Sequence, residues 1–316
     1  MLLILILAGL AIWYFGPYEP VKTDVTFDED SIGEDIDAYF TAREARFDDI
    51  TPGVEKRVIW HGEPGQKTRQ VLLYVHGFSA SSEELRPVPD RIAEGMGANL
   101  VYTRLTGHGR TDAAMAEGSV EAWMEDVAEA LAVARRVGDE VIMLATSTGA
   151  TLLAEASLQP EMMRGVKGAI FVSPNFAIAD TQAIYLTLPA ARYWIPLVAG
   201  KTRSFEPRNE VQEVYWTTSY PTVSVLPLAA LVKHARNRDW RQATLPVLFW
   251  YSDADLVVKP AATDKVVAAW GGDKTVIKVE MGEGSDPYAH VIAGAIASPP
   301  QTDQAVSDML GWIGGL

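Results

Sequence analysis

Cysteine is absent from all 316 residues. That excludes disulfides, thiol nucleophiles and cysteine-held metals, and it leaves the redox compartment open. Positive charge is also scarce, with 27 Lys and Arg against 41 Asp and Glu and a net charge of -14. Such a chain is repelled by phosphate backbones, which argues against a nucleic-acid partner. What is present is ordinary for a globular protein. Hydrophobic residues make up 48% and charged residues 22%, enough for a full core. The length fits one large α/β domain or two small ones.

Charge is missing altogether from residues 1–18. A helix over this run just reaches across a hydrocarbon core at about 1.5 Å per residue, and Trp13, Tyr14, Phe15 and Tyr18 gather at one end like an interfacial belt. A cleaved signal peptide would need basic residues before the run and an A-x-A site after it, and neither is found. The expectation is an uncleaved N-terminal membrane anchor over 1–18. Residues 19–53 are polar and acidic and read as a spacer, with one amphipathic helix from Ser31 to Phe47. The few basic residues after the anchor favour export of the body.

From residue 54 the apolar pattern alternates between strands and helices. Arg57–His61, Val71–Val75, Asn99–Thr103, Val141–Ala145, Gly168–Val172, Leu245–Tyr251 and Lys274–Glu280 read as strands. Ser81 with Glu84 reads as a capping box opening a helix to Met96. Ser119 caps a helix over Val120–Val137, and Thr302–Ile313 reads as a closing helix. This rhythm implies an α/β fold with a mostly parallel central sheet and helices on both faces. The core is assigned to 54–172 and 245–316. Residues 173–244 break the rhythm and read as a small helical cap inserted over the carboxyl edge of the sheet, where open α/β sheets bind ligands.

The chemistry centres on Ala145-Thr146-Ser147-Thr148-Gly149. A strand ends abruptly, a helix follows, and a serine at the apex is flanked by small residues. This is the shape of a nucleophile elbow, with alanine in place of the usual first glycine. His76-Gly77-Phe78 ends an earlier strand, where the Phe78 backbone N–H becomes one candidate oxyanion donor and the Thr148 N–H the other. Ser147 is followed by carboxylates at a late strand end, Asp253 and Asp255, and then by His290 in the loop after the last strand. His108 precedes Ser147 and reads as structural.

The order Ser…Asp…His, with His76-Gly77-Phe78, Gly107-His108-Gly109 and the elbow at Ser147, resembles α/β-hydrolases of the monoacylglycerol-lipase and carboxylesterase type. Ser252-x-x-Asp255-x-x-Val258-x-Pro260 is similar to the family's G-x-x-D-x-x-V-x-P, with serine for glycine, and that register selects Asp255 over Asp253. The resemblance implies a catalytic triad of Ser147, Asp255 and His290, with no metal and no cofactor. It implies hydrolysis of carboxylic esters of hydrophobic or lipid-derived acyl groups through an acyl-enzyme. A thioesterase, an amidase or aminopeptidase, a perhydrolase, and a membrane-tethered binding module without turnover remain open.

Overall fold

The structure is a computed structural model and describes residues 2–316. Its elements in chain order are α1 (Leu2–Phe15), α2 (Ile36–Glu44), β1 (Arg57–Ile59), β2 (Thr68–Val75), α3 (Val88–Met96), β3 (Asn99–Tyr102), α4 (Val120–Val137), β4 (Gly138–Thr146), α5 (Thr148–Ala156) and β5 (Val166–Val172). There follow α6 (Ala191–Val198), β6 (Thr202–Ser204), α7 (Glu210–Tyr215), β7 (Ser219–Pro221), α8 (Val225–Ala235), β8 (Val247–Tyr251), α9 (Pro260–Ala269), β9 (Lys274–Lys278) and α10 (Thr302–Ile313).

Seven strands form the central sheet in the order β1-β3-β2-β4-β5-β8-β9. Only the β1–β3 pair is antiparallel. The continuous apolar runs of the parallel strands follow from burial on both faces. In β4, Val141, Met143 and Ala145 point into a core shared with α4 and α5. Their neighbours Ile142 and Leu144 point into a second core shared with α3 and α10. From β2 the chain steps outward to β3, then returns to lay β4 on the other side of β2. The carboxyl ends of β2 and β4 therefore flank a topological switch point, the usual crevice for a ligand in an open α/β sheet.

The helix expected over 1–18 is shorter in the structure and stops at Phe15. Met1 lies outside the described residues, and α1 has 14 residues. That is about 21 Å of helix against about 30 Å of hydrocarbon. Among the described residues no helix is long and apolar enough to cross a membrane. Gly16-Pro17 ends the helix because proline cannot continue it, and the Ala190 N–H then donates to the Pro17 carbonyl at 2.7 Å. The chain thus meets the 173–244 insertion just after α1, whose Trp13, Tyr14 and Phe15 side chains are exposed.

The acidic stretch differs from a spacer as well. Ile32, Ile36 and Phe40 are buried in the core with α4. The expected 31–47 helix is a 3-10 turn at Glu29–Ile32 followed by α2, capped by the Asp35 side chain on the Ala38 N–H. The insertion between β5 and β8 is helical apart from a short antiparallel pair, β6 with β7.

Candidate active site

The strand β4 ends at Thr146 and α5 begins at Thr148, so the whole reversal falls on Ser147, at φ 52° and ψ -114°. A positive φ is costly for a residue bearing Cβ and persists only where its surroundings enforce it. Here the Ser147 N–H donates to the Val172 carbonyl at 2.9 Å, and the Asn175 and Thr151 N–H groups both donate to the Ser147 carbonyl at 3.2 Å. Gly149 is where the helix meets the sheet. A Cβ there would lie 2.4 Å from the Val75 carbonyl oxygen and 2.6 Å from that of His76. Ala145, by contrast, sits in regular strand pairing with Val75 and Phe171, so alanine is tolerated where a glycine was expected.

The structure brings Ser147, Asp255 and His290 together. His290 Nε2 lies 2.9 Å from Ser147 Oγ, and His290 Nδ1 lies 2.7 Å from Asp255 Oδ2. The other Asp255 oxygen accepts from the Val257 and Val258 N–H groups at 2.8 and 2.9 Å. The His290 Nδ1–H therefore donates to Asp255, which leaves Nε2 as the acceptor facing the serine. Asp253 is exposed and pairs with Lys278 at 2.5 Å, away from this chain of bonds. All three side chains are nearly buried. Burial lowers the His290 pKa, but the Asp255 carboxylate outweighs it, helped by Glu84 and Asp286, and the net shift is upward from 6.5.

The turn after β2 lies across from the elbow. The Gly77 N–H is already committed, donating to Glu84 Oε2 at 2.8 Å, so Phe78 is the next amide able to face a ligand. Behind the turn, the Leu105 N–H donates to His76 Nε2 at 3.1 Å. The His76 proton is thus fixed on Nδ1, which donates to the Gly77 carbonyl at 2.8 Å. His108 packs edge-on against Phe78 and Trp123, and burial holds its pKa well below 6.5. It acts as a neutral wedge behind the turn. Phe78 in turn packs with Met115, Tyr220, Val225 and Leu186, an apolar cluster that joins the insertion to the core.

The sequence profile described as serine aminopeptidase, S33 matches residues 66–282, well over half of the chain. The chain belongs to this family. The protein is therefore an enzyme, a hydrolase of the α/β-hydrolase fold. No curated protein matches the sequence. Among solved structures, one described with LipS and LipT, metagenome-derived lipolytic enzymes, is similar over 84% of this chain and 100% of its own, at 20% identity and a TM-score of 0.69. A soluble variant of monoglyceride lipase from Saccharomyces cerevisiae, in complex with a substrate analog, is similar over 85% of this chain and 96% of its own, at 13% identity and TM-score 0.61. A monoacylglycerol lipase from Paleococcus ferrophilus covers 83% of this chain with 99% of its own, at 14% identity and TM-score 0.58. At these identities the likeness is one of fold.

Three residues around the site of this S33-family hydrolase were not legible in its sequence. Asp286 is buried; one oxygen accepts from the His290 and Val291 N–H groups at 3.1 and 2.8 Å, and the other from the Tyr288 N–H at 2.7 Å. Arg208, from the insertion, forms an ion pair with it. A local signal for Asp286 exists, an aspartate bonding the amide two residues on, which is the mark of an Asx turn. Arg208 has none, because its partner is distant in sequence. Glu84 fits the capping-box spacing, but the helix begins only at Val88 and Ser81 accepts from the Glu83 N–H. The Glu84 carboxylate turns inward instead.

Proposed function

We propose that this hydrolase is a serine esterase acting on carboxylic esters with hydrophobic acyl groups. The observation that carries the reading is the unbroken chain Ser147 Oγ, His290, Asp255, at 2.9 and 2.7 Å, mounted on a strained strand-to-helix turn. The Ser147 oxygen attacks the ester carbonyl while His290 Nε2 takes its proton; the carbonyl oxygen becomes an oxyanion between the Phe78 and Thr148 N–H groups. His290 then gives that proton to the departing alcohol, leaving an acyl-enzyme. Water attacks next, passing its proton to the same nitrogen, and Ser147 recovers it as the acid leaves. Asp255 holds the ring's orientation and stabilises the imidazolium without taking a proton.

The apolar surroundings support a hydrophobic substrate. Phe78 sits among Met115, Tyr220, Val225 and Leu186. Leu256 and Val257, next to Asp255, and Tyr288, two residues before His290, all expose large apolar side chains. The test combines labelling with a substrate panel. A fluorophosphonate probe should label the wild type and fail on Ser147→Ala. A p-nitrophenyl ester series should be cleaved faster as the acyl chain lengthens from acetate. Faster turnover of aminoacyl p-nitroanilides would replace the esterase reading with an aminopeptidase, and no labelling of folded wild type would remove the serine mechanism.

A further inference from the structure

Glu84 is a buried carboxylate with no cationic side chain of its own. It is 3% exposed, and among the described residues no Lys or Arg pairs with it. Buried carboxylates normally have such a partner. Its Oε2 accepts from the Gly77 N–H at 2.8 Å and from the Tyr74 hydroxyl at 3.0 Å. That hydroxyl also lies 3.0 Å from Oγ1 of Thr146, the residue before the nucleophile. A Cβ placed on Gly77 would lie 2.8 Å from Glu84 Oε1 and 3.3 Å from Ser147 Cβ. The carboxylate and Ser147 therefore close on the same point of backbone.

The groups facing it are few. Tyr74 of β2 is kept neutral by burial, and Thr146 of β4 does not titrate. His290, in the loop after β9, can carry the positive charge that acts on it, and His290 faces Asp255 and Asp286 in turn. A carboxylate so placed is the electrostatic complement of an imidazolium. Burial pushes its own pKa up to about 7, so its charge is present only near neutral pH and above.

Given the Ser147–His290–Asp255 assignment, we propose that Glu84 is a positioning residue for the reaction. Its bond from the Gly77 N–H fixes the turn that presents the Phe78 N–H, and its negative charge, beside that of Asp255, stabilises the imidazolium formed when His290 takes the serine proton. Two protons then inactivate the enzyme as pH falls, one on His290 and one on Glu84, and their titrations are coupled.

The test is the pH profile of kcat/KM for a p-nitrophenyl ester. Glu84→Gln keeps an acceptor for Gly77 and removes the charge. Its acid limb should move down by roughly 0.5–1 pH unit and flatten to one proton, while plateau kcat falls roughly tenfold and KM changes by less than about twofold. Tyr74→Phe removes a donor to the ionised carboxylate and should move the limb the opposite way, upward. A purely structural role would lower activity in both variants without moving either limb. A folded Glu84→Gln whose limb stays at the wild-type midpoint overturns the proposal. Should Glu84→Gln not fold, an unmoved limb in Tyr74→Phe does the same. Fluorophosphonate labelling surviving in Ser147→Ala would instead overturn the triad assignment, and this inference with it.

Discussion

Ser147 and Gly149 divide the demands of the elbow between them. Strain falls on the serine, at φ 52°, and close approach falls on the glycine, whose missing Cβ would sit within 2.6 Å of two carbonyl oxygens of the β2 end. Gly149→Ala must therefore push α5 off the sheet and displace Ser147. Overpacking of this kind costs about 1–3 kcal/mol, and a displacement of about 1 Å costs roughly 10²-fold in rate. Ala145→Gly, which restores the commoner motif, should leave kcat nearly unchanged and cost about 0.5–1 kcal/mol, as glycine does inside a strand. Thermal midpoints and ester turnover of the two variants check this; equal losses in both would show that the strain is shared along the turn. At this scale the sequence was informative wherever a residue's role is set by its immediate neighbours. Ser147 sits at the apex of a local pattern, and Asp255 is separated from Asp253 by the register of the family motif it resembles. Glu84 was misread because the capping-box spacing is a local signal that a tertiary partner, the Gly77 N–H, overrides.

The elements themselves were legible where both faces or one stripe of the chain is apolar. The reading of α4 as Val120–Val137 under a Ser119 cap matches the structure, with Ser119 accepting from the Ala122 N–H at 3.1 Å. What helix patterns do not reveal is which buried charges face one another once the helices pack. Glu155, on α5, is fully buried and neither oxygen has a hydrogen bond, although Arg238 Nε stands 3.1 Å and His234 Nε2 3.6 Å away at the end of α8. Burial pushes its pKa up to about 7 from 4.5. A carboxyl raised in the folded state binds its proton more tightly there than in the unfolded chain. Its contribution is therefore fully present below pH 4.5 and lost as pH climbs through about 7, a loss on the order of 3 kcal/mol by pH 8. Glu155→Gln should raise the thermal midpoint at pH 8 by several degrees and change it little at pH 4.5. Melting curves at the two pH values decide the matter, and an equal effect at both would mean that Glu155 is not the titrating group.

Over the whole molecule, the acidic N-terminal stretch belongs to the same folding unit as the sheet. Glu44 at the end of α2 holds the Arg104 guanidinium with both oxygens, at 2.8 and 2.9 Å, and both residues are buried. Nearby, Lys56 lies between Asp126 at 2.7 Å and Glu129 of α4, while the Tyr39 hydroxyl donates to Glu129 at 2.6 Å. The composition of residues 19–53 shows only an excess of acid, which reads as a solvated spacer. The partners that make it structural, Arg104 for Glu44, Arg110 for Asp49 and Arg135 for Glu29, lie beyond that stretch and far along the chain. Only folding makes the pairing visible. Removing one member of a buried pair leaves the other charge stranded, at about 3–5 kcal/mol. Arg104 stands just beyond β3, next to Leu105, whose N–H donates to His76 behind the turn after β2, so the damage should not stay at the terminus. Glu44→Ala is expected to shift a single urea transition to lower midpoint, with far-UV circular dichroism and tryptophan fluorescence still coincident and hydrolase activity lost along the same curve. A separate early transition, with activity retained through it, would show that the acidic stretch can detach while the hydrolase core stands.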